Sequence, residues 1–457
     1  MYNSSIHSTR LSRITWFLII ALLLLAIVGC SSSENTVESA PQVENTPQVE
    51  STPQVENTPQ TVVFMISGSL EEQAAYETLI ASFEEDNPNI DVVLNNFPEE
   101  GFNEKLATMF SASAPPDIFL MNFRHLGVFT ADSALYSLDS LLDSSQALTR
   151  DDFYPAALKA FTYNGMLQCL PQNLSSPVIY YNKALFDAAG LAYPDGSWNW
   201  DDFVATARAL TLDTDGDGTI DQYGFGTSIQ AMRLAPFIWQ NGADFMDDYN
   251  NPTRLTLDTP EAREAIEWFA NLQVVEHVMP DAVAEDGIDS KNRFLQGTMG
   301  MYMNSRVQVP TFRTITDFEW DAASLPVGKQ PASVLHSDGF CVPVQVAEDA
   351  NHLQVIWSFI EYAFSETGQA LLAETGRTVP SRIKVAESEA FLSSVPPQNN
   401  QAWLDAAPYL NAFPILPEWS AIESIITNEL KRAVYGQATV DEAIQSMQDN
   451  AADVLAP

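Results

Sequence analysis

The sequence predicts an α/β fold with two globular lobes, from its length, its composition and the order of its elements. The chain has 457 residues, 46% of them hydrophobic, which is enough for two cores at ~100–200 residues per domain. From residue 61 onward, strand-like and helix-like segments alternate, as in parallel sheets with right-handed crossovers. These units are too many for one sheet, and no periodic repeat indicates a barrel.

The first elements follow one another closely. Residues 61–66 are β-branched and apolar and predict a strand, and Ser69 with Glu72 forms the pattern of a capping box for the next helix. Asn87-Pro88 ends that helix. A strand, a helix and a strand are then predicted at 90–94, 102–110 and 117–121. Ligands of such sheets bind beyond the carboxyl ends of the strands.

Later elements are predicted by the same signals. Strands are expected at 178–181, 298–303 and 340–344. A helix should begin after Thr259, where a capping residue precedes a proline suited to the first helical position. Long helices are expected at 348–364, 421–435 and 440–454, so each lobe should be a mainly parallel sheet flanked by helices.

Charge and motifs exclude several function classes. The chain has 60 Asp+Glu against 21 Lys+Arg, a net charge of -39, and such a surface repels nucleic acid. The nucleophile elbow, the zinc-protease helix motif, the P-loop and the dinucleotide-binding glycine pattern are absent from the sequence. A glycosidase would need two carboxylates across a cleft. A chain with so many acids contains such pairs whatever its function, so they do not indicate a glycosidase.

The N-terminus is typical of an exported lipoprotein. Arg10 and Arg13 precede an apolar run that ends at Cys30, shorter than the ~20 residues of a membrane-spanning helix. Residues 1–29 are therefore interpreted as a lipoprotein signal peptide and Cys30 as the lipidation site, the alternatives being a plain signal peptide or an uncleaved anchor. Residues 30–60 predict a disordered, Pro/Glu-rich tether, because Pro41, Pro47, Pro53 and Pro59 recur at every sixth position and apolar residues are few. Its alternative is a recognition peptide.

Two cysteines remain beyond the signal region. Cys169 and Cys341 lie in strand-like stretches and are expected to be buried small apolar residues. A disulfide between them would suit an exported protein and is left open.

An acidic loop is the sharpest local motif. Asp213, Asp215, Asp217 and Asp221, with Gly218 as the turn residue, match the start of an EF-hand-like calcium loop. Position 12, which should supply a glutamate, is Gly224. The motif predicts a structural calcium ion, with a metal-free acidic turn as the alternative. Apart from this ion, no cofactor is expected to be required.

Aromatic residues are the second signal for binding. Tyr180, Trp239 and Trp419 offer faces that stack on sugar rings, while amides and carboxylates hold the hydroxyl groups. The alternative for each is a place in the core. The two tryptophans lie in polar, turn-rich contexts, which favours ligand contact.

Several segments resemble one known family. They are VIYYNKALFDAAGL at 178–191, WNWDDF at 198–203, PDI at 116–118, FLQGTMGM at 294–301, GFCVP at 339–343 and GRTVP at 376–380. In order and in pattern the chain resembles the bacterial extracellular solute-binding proteins, family 1, of ABC importers, the group that includes the maltose-binding protein.

The resemblance implies two lobes joined by three hinge crossings, near 170–173, 335–337 and 378–381. Lobe 1 would comprise 61–170 plus 336–378, and lobe 2 would comprise 171–335 plus 379–457. The ligand-binding residues that it implies are Ser67, Asn122, Asn173, Tyr180, Trp239, Asn304, Ser337, Asp338, Arg377 and Trp419. The chain departs from many relatives at Asn304-Ser305-Arg306, where they carry Gly-x-Trp, which puts a stacking platform in doubt.

The function that the resemblance implies is carbohydrate capture for an ABC permease. The protein would be a non-enzymatic, monomeric receptor, held outside the cytoplasm by a lipid anchor. A receptor for a polyol, a sugar phosphate or a peptide is the alternative within this class, and an exported glycoside hydrolase is the alternative outside it. A sugar phosphate would require two or more convergent cations, and the candidate cleft offers Arg377, with Arg306 or Arg124 as further candidates.

The lipid anchor can be tested directly. We predict that Cys30→Ala abolishes incorporation of a labelled fatty acid and releases the protein from the membrane fraction, because the only lipid-acceptor thiol is removed. Ser31→Ala, the neighbouring control, should be lipidated normally. Undiminished labelling of the Cys30→Ala protein would contradict the assignment.

Overall fold

The computed structural model describes residues 59–456. The signal peptide, Cys30 and nearly all of the tether therefore lie outside the described residues. Within the described part, no helix combines the length and the apolar character that crossing a bilayer requires.

Within residues 59–456, thirteen strands form two main sheets and two small ladders. The strands are β1 (Gln60–Ser67), β2 (Ile90–Phe97), β3 (Ile118–Asn122), β4 (Thr162–Tyr163), β5 (Met166–Leu167), β6 (Cys169–Pro171), β7 (Val178–Asn182), β8 (Tyr223–Gly226), β9 (Met299–Asn304), β10 (Trp320–Ala323), β11 (Ser333–Val334), β12 (Asp338–Cys341) and β13 (Leu410–Asn411).

Helices cover the sheets and make up most of the C-terminal part of the described chain. They are α1 (Leu70–Asp86), α2 (Phe102–Ser111), α3 (Leu126–Ala131), α4 (Asp139–Ser144), α5 (Pro155–Ala160), α6 (Lys183–Ala189), α7 (Trp200–Ala209), α8 (Ala231–Gln240), α9 (Pro260–Val274), α10 (Ala282–Gly287), α11 (Ser290–Leu295), α12 (Val309–Phe312), α13 (Ala350–Ala363), α14 (Glu366–Glu374), α15 (Ile383–Ala386), α16 (Glu389–Leu392), α17 (Gln401–Ala406), α18 (Trp419–Val434) and α19 (Val440–Leu455).

The first sheet has the strand order β2-β1-β3-β12-β6. Strands β2, β1 and β3 run parallel, whereas β12 is antiparallel to both β3 and β6. Its core is aromatic: the Phe64 ring lies 4.9 Å from that of Phe340 and 5.3 Å from that of Tyr76. Strand and helix thus meet through a dry interface that fixes the carboxyl ends of β1 and β3.

The second sheet has the order β10-β7-β9-β8, in which only β8 and β9 are parallel. The prediction of mainly parallel sheets is therefore wrong, and both sheets are mixed. The reason lies in the short links between sheets. Strand β12 starts where β3 ends, with Asp338 opposite Asn122, and β7 starts where β9 ends, with Val178 opposite Asn304. A strand that enters at the carboxyl edge of its neighbour must run in the opposite direction.

Helix caps are partly as predicted. The Ser69 hydroxyl accepts a hydrogen bond from the Glu72 amide and so caps α1, and Thr259 caps α9 in the same way. The Glu72 side chain does not complete a capping box. It turns instead to Arg377, with 2.8 Å between Oε2 and Nε.

Cys169 and Cys341 form a disulfide, with 4.3 Å between their Cα atoms. The expectation of two separate buried thiols is therefore wrong. The two residues are direct cross-strand partners in β6 and β12, although 172 positions separate them in sequence. The bond fastens the strand that leaves the first sheet to the strand that returns to it.

The three segments predicted as crossings lie side by side. The Leu174 amide donates to the Val379 carbonyl at 2.8 Å, and the Ser175 amide donates to the His336 carbonyl at 2.8 Å. Residues 172–177 connect β6 of the first sheet to β7 of the second, and residues 335–337 lead back to β12. The exact boundaries of the lobes stay a prediction.

Candidate ligand-binding site

Polar side chains gather around Asp338, at the carboxyl end of β3. Asn122 Nδ2 donates to Asp338 Oδ1 at 2.9 Å, and Asn173 Nδ2 donates to Asp338 Oδ2 at 3.1 Å. Asn173 Oδ1 in turn accepts from the Asp338 amide at 3.0 Å. Since an ionised carboxylate only accepts hydrogen bonds, it suits a point where two amide groups converge. Three predicted site residues thus meet in one cluster, which we call the Asp338 network.

Two predicted serines flank this network. Ser337 Oγ donates to the Asn173 carbonyl at 2.5 Å, which ties two crossings together. Ser67 ends β1, and its buried Oγ has no hydrogen-bond partner among residues 59–456. Ser337 therefore has a structural role, whereas the Ser67 hydroxyl is uncommitted.

Arg377 is held by Glu72 on the same side of the network. Glu72 has only 7% of its surface exposed, and this burial raises the pKa of its carboxyl group to about 7. Arg377 opposes the rise in pKa and Asp338 adds to it. Arg377 thus has an acidic partner in Glu72.

The loop after β3 supplies Arg124, which the sequence offered as a further cation of the cleft, and His125, which the sequence reasoning missed. Arg124 Nη1 lies 2.6 Å from Glu423 Oε1, and His125 Nδ1 lies 3.1 Å from Ser420 Oγ. Glu423 and Ser420 belong to the first two turns of α18. The signal that could have found His125 is its position just after a strand end, close to the predicted Asn122.

Asn304 ends β9 in the second sheet and contacts Arg233, a residue that the sequence reasoning did not predict. Its Oδ1 accepts from Arg233 Nη2 at 2.6 Å, and Arg233 Nη1 lies 3.3 Å from His336 Nε2. Burial, together with the nearby Arg233 and Arg124, lowers the pKa of His336 well below its usual value. A single arginine within the apolar segment AMRLAPFIW of α8 was the available signal.

The predicted aromatic residues are not brought to this site. Tyr180 is fully buried, and its hydroxyl donates to the Ser305 carbonyl at 2.8 Å. Trp419 is fully buried, with its ring 4.5 Å from that of Phe413. Trp239 donates its Nε1–H to Asp244 at 3.0 Å and is 5% exposed. Their assignment as stacking faces is therefore corrected to core packing. The prediction failed because a polar sequence context does not reveal which distant rings cover an aromatic side chain.

The acidic loop lies apart, on the surface between α7 and β8. Carboxylate oxygens of Asp213, Asp215 and Asp221 lie within 4.8 Å of one another, a spacing that suits a hard cation. Asp217, predicted as the fourth ligand, is not part of this group, and its Oδ1 accepts from the Thr219 amide at 2.7 Å. Bound calcium stays a prediction, now with three candidate ligands.

Comparisons with known proteins all find similarity to binding proteins. The family model for bacterial extracellular solute-binding proteins matches residues 67–370. A protein of Brucella abortus named only as a binding protein is 22% identical over 391 residues, covering 83% of this chain and 89% of its own length. The arabinooligosaccharide-binding protein of Halalkalibacterium halodurans is 25% identical over 211 residues, 44% of each chain.

Solved structures share the fold. The ABC substrate-binding protein of Listeria monocytogenes in complex with cycloalternan superposes with a TM-score of 0.77 at 21% identity. The match covers 87% of this chain and 99% of the other. This similarity shows a two-lobed binding-protein fold and leaves the ligand to be argued from the site.

The calcium loop can be tested by melting. We predict that chelation lowers the melting temperature of the wild type, by the equivalent of roughly 2–3 kcal/mol relative to calcium at a hundred times its Kd. Asp215→Asn should abolish this sensitivity, because one of the three converging carboxylates is lost. Asp217→Asn, the matched control, should retain it. Identical melting curves in calcium and in chelator would remove the metal from this loop.

Proposed function

The chain belongs to the bacterial extracellular solute-binding protein family, and we propose that it captures a carbohydrate outside the cytoplasm for an ABC importer. The observation that carries this proposal is the polar edge shared by the two sheets. The first sheet presents Asn122 and Asp338 there, and the second presents Asn304. We call this the polar edge, with Asn173 and Arg233 as its further members.

The chemistry of the polar edge suits hydroxyl groups. Amides both donate and accept hydrogen bonds, a carboxylate accepts and a guanidinium donates, so together they match groups that do both. Ligand sites of this kind lie in crevices where a few convergent polar groups fix the orientation of the ligand. A saccharide therefore fits better than an apolar solute.

Relatives support this ligand class. One is an arabinooligosaccharide-binding protein, and one structural neighbour holds cycloalternan. With Trp239 and Trp419 in the core, we expect recognition here to depend on hydrogen bonds more than on ring stacking. A sugar phosphate or a peptide is less well matched, because Arg124 and Arg377 already have acidic partners.

The proposal also covers the membrane anchor, the partner, the oligomeric state and the absence of catalysis. We propose that Cys30 carries a lipid anchor, that a permease is the partner and that the protein is monomeric. The family consists of binding proteins, and we propose that this chain likewise has no catalytic activity. An exported hydrolase remains the alternative that the experiment below separates.

A thermal-shift screen tests the function. The purified chain is melted with neutral and acidic mono- and oligosaccharides, polyols, sugar phosphates and short peptides. We expect at least one saccharide to raise the melting temperature in proportion to the logarithm of its concentration, because it binds only the folded state. Chromatography should recover that saccharide unchanged.

Two results would contradict the proposal. A shift produced only by peptides or polyols would remove the carbohydrate assignment. Consumption of the saccharide during incubation would replace a receptor with a hydrolase.

A further inference from the structure

Arg233 is a buried cation without an acidic partner. Only 6% of its surface is exposed. Its two polar contacts are Asn304 Oδ1 at 2.6 Å and His336 Nε2 at 3.3 Å. Its Nε is buried and has no hydrogen-bond partner among the described residues. No carboxylate of residues 59–456 forms an ion pair with it.

Such an arrangement is costly unless a ligand completes it. Burial of an unpaired charge is strongly unfavourable, and so is a buried donor without an acceptor. Burial lowers the pKa of Arg233 to about 10, so the side chain still carries its charge at neutral pH. Asn304 is neutral, and the lowered pKa of His336 keeps that ring uncharged as well.

The position of Arg233 is at the polar edge. Asn304 ends β9, and His336 lies in the crossing that leads to β12. The Arg124 side chain is close enough to lower the pKa of both Arg233 and His336. Arg124 and Arg233 therefore lie near each other at the polar edge, with Glu423 as the ion-pair partner of Arg124.

The other buried or half-buried arginines nearby are already committed. Arg124 pairs with Glu423 at 2.6 Å, and Arg377 pairs with Glu72 at 2.8 Å. Arg306 is held by two aromatic rings, with its guanidinium carbon 4.4 Å from the centre of the Phe391 ring and 4.6 Å from that of Trp403, and by Asn400 Oδ1 at 2.6 Å. Its Nε and Nη2 have no hydrogen-bond partner among the described residues. Arg233 alone among these offers the polar edge a guanidinium with neither an acidic partner nor an aromatic cover.

We propose, on the basis of the carbohydrate-receptor function above, that Arg233 binds a carboxylate of the ligand and that the ligand is an acidic saccharide containing a uronic acid. A guanidinium pairs with a carboxylate through two parallel hydrogen bonds. The free Nε–H and a remaining Nη–H of Arg233 supply these two donors. One unpaired guanidinium matches a singly charged carboxylate better than a doubly charged phosphate.

The first test compares ligands of equal length by calorimetry. The probes are an oligogalacturonate, the neutral galacto-oligosaccharide of the same length and a sugar phosphate. We expect the oligogalacturonate to bind about tenfold or more tightly than the neutral saccharide, since bonds between charged groups are roughly twice as strong as neutral ones. Its affinity should also fall as salt is raised.

Two variants test whether Arg233 causes the tighter binding of the acidic saccharide. Arg233→Gln should lose about ten- to a hundredfold in affinity for the acidic saccharide, and its affinity for the neutral one should change far less. Arg432→Gln is the matched control, because it removes a cation from the exposed part of α18, where Arg432 pairs with Glu429. It should leave both affinities unchanged.

A second variant does not depend on how well Arg233→Gln folds. Glu423→Gln releases Arg124 from its ion pair, so a second guanidinium faces the polar edge. Affinity for the acidic saccharide should rise several-fold, with little change for the neutral saccharide.

Three results would overturn the inference. Equal affinity for the acidic and neutral saccharides would refute it while leaving the carbohydrate receptor intact. Tighter binding of the sugar phosphate than of the oligogalacturonate would refute the carboxylate assignment. If no saccharide binds at all, the proposed function fails together with it.

Discussion

The carboxylate of Asp338 is the point on which the arrangement of the polar edge depends. It accepts hydrogen bonds from the side chains of Asn122 and Asn173, so one group joins the end of β3, the first crossing and the start of β12. Three residues farther along β12, the disulfide of Cys341 with Cys169 fastens the same strands covalently. Polar and covalent links together hold the crossings against the first sheet.

This anchoring has a consequence for ligand binding. Because the crossings are short and held at the first sheet, we expect any movement of the second sheet to be a rotation about these segments, as in hinge closure. The Arg124–Glu423 ion pair joins the loop after β3 to α18 and spans the polar edge. A ligand that contacts both sheets favours the closed arrangement by its difference in affinity for the two states.

Charge is distributed unevenly over the molecule. The chain has a net charge of -39 and only 21 Lys+Arg, yet Arg124, Arg233 and Arg377 all lie near the Asp338 network. Such an acidic chain repels polyanions in general. The polar edge differs from the rest of the surface, because Arg233 there has no acidic partner among residues 59–456. A single guanidinium of this kind suits one carboxylate of a ligand rather than a polyanion.

Local signals in the sequence predicted the elements well and the site only in part. Strands β1 and β9 and the caps at Ser69 and Thr259 follow from residue type and spacing, which act over a few positions. The roles of Tyr180 and Trp419, the disulfide and the contact of Arg233 with Asn304 depend on partners brought together by the fold. Asn122 follows from its place at a strand end, and Asn173 and Asp338 were implied by the resemblance to the family, whereas ring burial has no comparable local signal.

The central claim is that ligand binds at the polar edge between the two sheets. Hydrogen–deuterium exchange tests it most directly, with the whole chain measured in the presence and absence of the saccharide that raises its melting temperature most. We expect slower exchange at 122–125, 173–175, 336–338 and 420–427, with the acidic loop at 213–221 unchanged. Protection confined to other regions, or none at saturating saccharide, would contradict the account.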